Sequence, residues 1–251
     1  MLEQARAIPV QARGRTKVLT NVRVEPGRAA PRLYQFNRGA GVAVLSRAVA
    51  EWAQSSDEKE PGSEQEEVKK EDWFLVRGVA NRDAAADGQK EAEAAASDAG
   101  DQSVPIAGWA VARFIELDLP DAVRDGALSA GMHVLAWFEL NRVADASGEK
   151  PQYLAAGTRG PEGQPCDFTM LRVYTWSKKR NQYETAFIEN GVCGTLPIRA
   201  GKSLTGDPEF RFNEMGAPGS ERVYRMRQTI VRRVREAGEG KNRMAARIPA
   251  K

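Results

Sequence analysis

The chain has 251 residues, of which 41% are hydrophobic and 28% are charged, and its formal net charge is +3. This length accommodates two domains, and this composition excludes a wholly disordered chain and a membrane-embedded one. No apolar run approaches the roughly 20 residues that a membrane-spanning helix needs. We therefore expect a soluble protein with two domains and no membrane span.

The N-terminal residues 1–16 carry early charged side chains and no continuous apolar segment, so they do not have the pattern of a signal peptide. Two interpretations stay open. The protein is cytoplasmic, or it is an exported chain from which the signal has been removed. We treat residues 1–16 as an extension that precedes the first domain.

The first half of the chain shows a period-two alternation interrupted by turn residues, which predicts strands at 18–24, 41–46, 73–76 and 109–117. Two polar stretches, at about 54–70 and 81–103, separate the later strands. Residues 51–101 hold 15 acidic and 6 basic side chains, whereas the rest of the chain is basic. Because both stretches are low in aromatic and branched residues, we predict that they are mobile acidic loops.

Four short motifs follow one another in this half. They are Asn-Val-Arg-Val-Glu-Pro at 21–26, a glycine followed by Val-Ala-Val-Leu at 39–45, Trp-Phe-Leu-Val at 73–76 and Gly-Trp-Ala-Val at 108–111. In this order they resemble the bacterial Src-homology-3-like family. The resemblance implies a small β barrel over residues 17–118 and recognition of peptides, in bacteria often cell-wall peptides, through an aromatic-lined groove.

The same resemblance indicates Tyr34, Phe36, Trp73 and Trp109 as ligand-binding residues. It implies a non-enzymatic binding protein outside the cytoplasm, periplasmic or secreted, with a peptide, cell-wall or protein partner. The alternative for each tryptophan is a purely structural place in the barrel core. A further alternative is an interaction scaffold in which the acidic loops dock a basic partner.

The sequence of residues 119–130 predicts a linker with a short helix, because Pro120 and Asp121 suit a first helical turn. The strand pattern then resumes and predicts an antiparallel β domain over residues 131–238, as a meander, a sandwich or an open barrel. Its predicted strands are 133–140, 152–158, 168–176, 183–189, 209–213 and 222–234. We predict that residues 239–251 form a disordered basic tail. The fold class is therefore all-β.

The two cysteines fit one hairpin. If residues 177–182 form the turn between two paired strands, opposed positions sum to 359, which places Leu171 opposite Ile188 and Val173 opposite Ala186. The same register places Cys166 opposite Cys193, so we predict a disulfide between them. Two reduced, buried cysteines remain the alternative, since two cysteines are few for a secreted protein of this length.

Enzymatic and metal chemistry find little support among the residue types. His133 is the only histidine, and its apolar setting predicts a structural role. One histidine and two distant cysteines match no metal-site spacing and no nucleophile pair, so we expect no metal and no cofactor.

Nucleic-acid binding is the alternative from another class. Residues 221–251 hold 10 basic and 3 acidic side chains. As one strand, residues 222–234 would place Arg225, Arg227 and Arg233 on one face and Arg222 and Arg232 on the other, with Tyr224 available for stacking. We favour a charged edge strand instead, because such charges block edge-to-edge pairing and no base-reading motif is present.

Overall fold

The computed structural model describes residues 2–52, 69–80, 104–216, 219 and 221–234. Within them, two helices and two antiparallel seven-stranded sheets form. The all-β prediction and the prediction of a second antiparallel β domain are confirmed. The elements of the first sheet and its helix are α1 Leu2–Ala7, β1 Ala12–Thr16, β2 Thr20–Arg23, β3 Arg32–Phe36, β4 Gly41–Trp52, β5 Lys69–Ala80, β6 Val104–Val111 and β7 Ile115–Leu117.

The first sheet has the strand order β3-β2-β6-β5-β4-β1-β7. The close approach of β2 to β6 depends on Gly108, where a Cβ atom would lie 2.6 Å from Val22 Cγ1 and 2.7 Å from the Arg23 carbonyl oxygen. Only glycine fits at such a contact. Gly108, the glycine of the Gly-Trp motif, therefore has a packing role in the first sheet.

The second sheet is a meander, because its strands are neighbours in chain order. Its elements are α2 Asp121–Ala130, β8 His133–Asp145, β9 Gly148–Thr158, β10 Phe168–Ser177, β11 Gln182–Lys202, β12 Pro208–Glu214, β13 Glu221–Arg227 and β14 Ile230–Val234. The predicted strand 222–234 is thus two strands. They are joined by a tight turn in which Gln228 has a positive φ of 55°.

Residues 1–16 are not an extension outside the first sheet. Strand β1 lies between β4 and β7, with Ala12 opposite Val44 and Thr16 opposite Ile115. The predicted strand 109–117 is also broken, by a 3-10 turn at Ala112–Phe114. This turn sends β7 to the sheet edge beside β1, and neither glycine nor proline marks it in the sequence.

Two residues of the first predicted loop belong to a strand. Lys69 and Lys70 belong to β5, where they pair with Trp52 and Glu51 of β4, and the Lys70 ammonium lies 3.9 Å from the Glu51 carboxylate. Opposite charges across a strand pair favour this continuation. The rest of both predicted loops and the predicted tail lie outside the described residues.

Cys166 and Cys193 form the predicted disulfide, with Cα atoms 4.9 Å apart. The predicted register holds next to the turn, where Trp176 lies opposite Tyr183. Beyond Tyr174 it is wrong, because a bulge at Ala186 shifts the ladder by one residue.

That shift changes the predicted partners. Leu171 lies opposite Glu189 and Val173 opposite Phe187, in place of Ile188 and Ala186. A second irregularity lies between Phe168 and Met170. The disulfide therefore lies next to the irregular end of the pairing between β10 and β11.

The inner faces of both sheets contribute to one buried apolar cluster. Gln11 crosses this junction and is fully buried. Its backbone N–H donates to Val44 of the first sheet at 2.8 Å, and its carbonyl accepts from Trp137 of the second at 2.9 Å. Its side-chain amide donates to the Ile198 carbonyl at 3.1 Å and accepts from the Ile198 N–H at 2.7 Å. Gln11 thus bonds to both sheets at once.

A buried arginine makes a second connection between the sheets. Arg47 of β4 is bidentate to Asp72 of β5, at 3.0 Å from Nε and 2.6 Å from Nη2. Its Nη1 donates to Asp167 at 3.2 Å and to the Cys166 carbonyl at 3.3 Å, and Nη2 donates to the Gln164 carbonyl at 2.9 Å. All five guanidinium donors have partners. Burial raises the pKa of Asp167, against the opposing hydrogen bonds and the charge of Arg47.

Helix α2, predicted as part of a linker, packs on the outer face of the second sheet through Val123, Ala127 and Ala130. Gly126 lets the helix lie directly on the ring of Tyr174. A Cβ atom there would stand 2.2 Å from Tyr174 Cε1 and 2.9 Å from its hydroxyl oxygen.

We expect Gly126→Ala to lower the free energy of unfolding by about 1–3 kcal/mol, the usual cost of overpacking. Helix propensity alone would raise it by about 0.5–1 kcal/mol. Urea denaturation gives the difference, with Ser129→Ala at an exposed position of the same helix as the control. A stabilised Gly126→Ala variant would show that α2 is not seated on Tyr174.

Candidate functional site

The structure does not assemble the four predicted ligand-binding residues into one groove. Phe36 is 2% exposed and Trp73 is 1% exposed, so neither ring is exposed at the surface. Tyr34 is partly buried and packs edge-on against Phe36, with ring centroids 5.0 Å apart, at the inner cluster. Trp109 is partly buried on the outer face beside α1. Trp73 shares that outer face, because it is two residues from Leu75 in β5.

A continuous line of aromatic rings lies instead on the second sheet. We name it the aromatic row: Trp137 of β8, Tyr153 of β9, Tyr183 of β11 and Trp176 of β10. In that order, neighbouring ring centroids are 6.0, 6.0 and 5.2 Å apart. All four side chains are partly exposed. Trp137, Tyr153 and Tyr183 also contact the buried apolar cluster under α2. The row therefore begins at the edge of that cluster.

Charges of both signs surround the aromatic row. Arg142 pairs with Glu139 at 2.6 Å, and Arg180 pairs with Glu184 at 3.0 Å. The Lys150 ammonium lies 4.9 Å from the centre of the Trp176 ring. The surface therefore combines apolar rings with side chains of both signs.

The two phenols of the row keep their protons at neutral pH. Burial raises the pKa of Tyr153, and the nearby Glu139 carboxylate adds to the effect. Burial also raises the pKa of Tyr183, again with a contribution from its acidic neighbours. Both hydroxyl groups are therefore hydrogen-bond donors, and the row offers stacking, apolar contact and donation.

The second surface feature is a depression of about 310 Å³ over Trp73 on the first sheet. We name it the Trp73 depression, and its lining residues are Leu19, Asn21, Arg23, Arg28, Trp73, Val111, Arg113 and Phe114. Asn21 and Arg23 come from the first motif of the Src-homology-3-like resemblance. Trp73 is thus placed beneath a surface feature, although it is not exposed.

Two arginines of this depression hold a buried carboxylate. Glu71 accepts hydrogen bonds from Arg28 at 3.0 and 3.2 Å and forms an ion pair with Arg113. The Arg28 guanidinium also lies 3.8 Å from the centre of the Trp52 ring. Burial alone would raise the pKa of Glu71, but the hydrogen bonds and charges of Arg28 and Arg113 outweigh it and lower that pKa.

This lowered pKa predicts a pH-dependent stability difference between the wild type and Glu71→Gln. Between the folded-state pKa and the unfolded value of about 4.3, the unfolded chain binds more protons, so wild-type stability rises with pH. The contribution of Glu71 is full above that value and disappears as the pH falls through the folded-state pKa. Urea unfolding of both proteins at several pH values measures this contribution to the free energy of unfolding. Glu116→Gln, at an exposed position of β7, is the control. A difference that is constant from neutral to strongly acidic pH would contradict this assignment.

The arginines of β13 and β14 are not arranged as the single-strand prediction requires. The turn at Gln228 places Arg232 opposite Arg225, so Arg232 and not Arg233 shares the face of Arg225 and Arg227. Tyr224 is fully buried and stacks on Phe210, with ring centroids 5.0 Å apart. It has no free face for a base.

Carboxylates pair with most of these arginines. The ion pairs are Arg211 and Arg225 with Glu209, Arg222 with Glu189 and Glu214, and Arg227 with Asp207. Strand β14 is an edge of the second sheet. This arrangement supports the charged-edge interpretation.

The described part of the chain holds no group of three or more His, Cys, Asp or Glu side chains placed to bind a metal ion. His133 is exposed at the start of β8 and therefore does not lie in an apolar interior. Neither helix within the described ranges has the length and apolar character to cross a membrane.

Comparison with protein-family models, curated proteins and solved structures found no match to this chain. The Src-homology-3-like resemblance of the first half therefore stays a prediction.

The aromatic row was not predicted from the sequence, although one signal for it was present. The hairpin register around residues 177–182 places Trp176 opposite Tyr183, and this part of the register is correct. Trp137 and Tyr153 had no such signal, because two irregularities interrupt the pairing of β8 with β9.

Proposed function

We propose that the protein is a non-enzymatic binding protein that holds an extended peptide across the aromatic row. The observation that supports this most is the continuity of four partly exposed rings over four neighbouring strands. Tyrosine and tryptophan are enriched where an apolar side chain must contact both a partner and water. The phenol hydroxyl groups of Tyr153 and Tyr183 supply hydrogen bonds to a peptide backbone.

The angles between the rings favour a ridged ligand over a flat one. Trp137 and Tyr153 are inclined by 72°, and Trp176 and Tyr183 by 73°, so each pair is edge-to-face. Such pairs form grooves between rings instead of a flat stacking surface. A peptide in an extended polyproline II conformation suits aromatic-lined grooves of this kind. Because the arginines of the rim are paired with glutamates, the rim does not favour a polyanion such as nucleic acid.

The wider proposal keeps the first sheet as an interrupted bacterial Src-homology-3-like module and the ligand as a peptide, including peptides of the cell wall. We also propose an extracytoplasmic location. The disulfide between Cys166 and Cys193 supports it, since such bonds persist in oxidising compartments.

Binding of a fluorescent proline-rich peptide and retention on insoluble peptidoglycan test this function. We expect Trp176→Ala and Tyr183→Ala each to weaken the interaction by roughly tenfold, equivalent to about 1.4 kcal/mol. Trp52→Ala is the matched control, because Trp52 is a partly exposed tryptophan of the first sheet.

Together, the peptide-binding measurement and the peptidoglycan-retention measurement identify the class of peptide. Retention on peptidoglycan alone indicates a cell-wall peptide, and binding of the proline-rich peptide alone indicates a polyproline II ligand. No interaction in either arm, or an equal loss in Trp52→Ala, contradicts the proposal.

A further inference from the structure

The Trp73 depression lies on the first sheet and shares no residue with the aromatic row. We infer that it is a separate binding site for a carboxylate attached to a small apolar group. This inference does not depend on the proposed function, because different residues carry it.

Positive charge surrounds the depression. Arg23, Arg28 and Arg113 line it. Arg28 and Arg113 share the carboxylate of Glu71, and Arg113 also lies 3.8 Å from the half-exposed Glu162. Arg23 donates to the Ala30 carbonyl, and within the described ranges no carboxylate lies at ion-pair distance from it. Arg23 therefore keeps a charge that an incoming anion can pair with.

Trp73, which lines the depression, carries an unpaired donor. Trp73 is 1% exposed, and among the described residues its indole N–H has no acceptor. A buried donor without a partner is costly, and such groups in folded proteins call for an explanation. An oxygen atom of a ligand seated over Trp73 supplies the missing acceptor.

The remaining lining decides between classes of anion. Trp73, Val111 and Phe114 line the depression with apolar groups, of which Trp73 and Val111 are buried, and the exposed side chain of Leu19 adds apolar surface. A bare phosphate would leave this surface uncovered, whereas an aliphatic substituent would cover it. A volume of about 310 Å³ is at the lower end of the range for ligand pockets, so the ligand is small, or only the end of a longer chain enters.

Two sources share this chemistry. One is the C-terminal carboxylate of a peptide with an apolar last residue, and the other is a free short-chain carboxylic acid. In both, the carboxylate pairs with Arg23 and accepts from the Trp73 indole, while the aliphatic part covers Val111 and Phe114.

The indole N–H signals of the full chain in nitrogen-15 NMR spectra provide the direct test. The probes are the tripeptide glycyl-glycyl-leucine, its C-terminal amide, isovalerate and inorganic phosphate. We expect the tripeptide to move the Trp73 signal, assigned with Trp73→Phe, and the amide to leave it unchanged. A response to isovalerate as well identifies the carboxylate alone as sufficient, and no response to it identifies the peptide terminus.

Calorimetric titration with the tripeptide then compares variants. Arg23→Gln should bind at least about tenfold more weakly, the loss expected for one charge-assisted hydrogen bond. Trp73→Phe keeps the apolar ring but lacks the donor, and should also bind more weakly. Arg15→Gln removes an exposed arginine of β1 that pairs with Asp118, and it should bind as the wild type does.

Three results would overturn the inference. They are equal binding of the tripeptide and its amide, a phosphate response as large as that of the tripeptide, and undiminished binding by Arg23→Gln. The last result can be read even if Trp73→Phe does not fold. Because no aromatic-row residue takes part, loss of the proposed peptide binding and loss of this site are distinguishable.

Discussion

Replacing Arg47 with leucine should lower the free energy of unfolding by about 3–5 kcal/mol, the usual effect of breaking a buried ion pair. The guanidinium is bidentate to Asp72 and also bonds Asp167, and its side chain is 2% exposed. Without it, two buried carboxylates face each other with no cation between them. Leucine fills part of the volume but supplies none of the five hydrogen bonds.

Urea denaturation followed by tryptophan fluorescence measures this loss. Arg15→Leu is the matched control, because Arg15 pairs with Asp118 at 3.5 Å on the surface and such pairs contribute about 1 kcal/mol at most. A loss in Arg47→Leu as small as in Arg15→Leu would mean that the network does not hold the two sheets together.

The second large effect concerns the disulfide. The double variant Cys166→Ser/Cys193→Ser should lose about 3–4 kcal/mol, because the bridge closes a loop with a sequence separation of 27 residues. Reduction of the wild type should produce the same loss. Cysteine titration of the unfolded, non-reduced protein checks the premise, and two reactive thiols would show that the bridge is absent.

The disulfide and the arginine network should also be coupled. The Cys166 carbonyl and the Asp167 carboxylate both accept hydrogen bonds from Arg47, so one segment carries the bridge and two ligands of the guanidinium. In a double-mutant cycle, the combined loss from Arg47→Leu and Cys166→Ser/Cys193→Ser should be smaller than the sum of the separate losses. Strict additivity would show that the segment keeps its position without the bridge.

The period-two pattern was sufficient to predict most strands of both sheets, because their inward positions carry branched or aromatic residues. Strand β1 was missed for a physical reason. Its buried positions are Ala12, Gly14 and Thr16, and its exposed positions are Arg13 and Arg15. Small and polar residues face the core there, so hydrophobicity alone does not distinguish this strand from a loop.

The surface features were predicted less well than the strands. The Trp73 depression combines four separate chain segments, and only Trp73 was named as a candidate for ligand binding. The four residues predicted to bind a ligand do not come together, because Tyr34 and Phe36 face the inner cluster, while Trp109 faces α1. Which face a residue takes depends on strand register, and bulges in β3 and β4 alter that register without a clear mark in the sequence.

Gln11 has a consequence for the order of folding during synthesis. Its partner Ile198 is 187 residues further along the chain. At about 5–20 residues per second, a ribosome needs roughly 10–40 s to make the intervening chain. Until then, the amide of Gln11 and the inner face of the first sheet lack their partners. Gln11 therefore leaves the ribosome long before its partner does, and this interval is when a chaperone is best placed to bind the inner face of the first sheet.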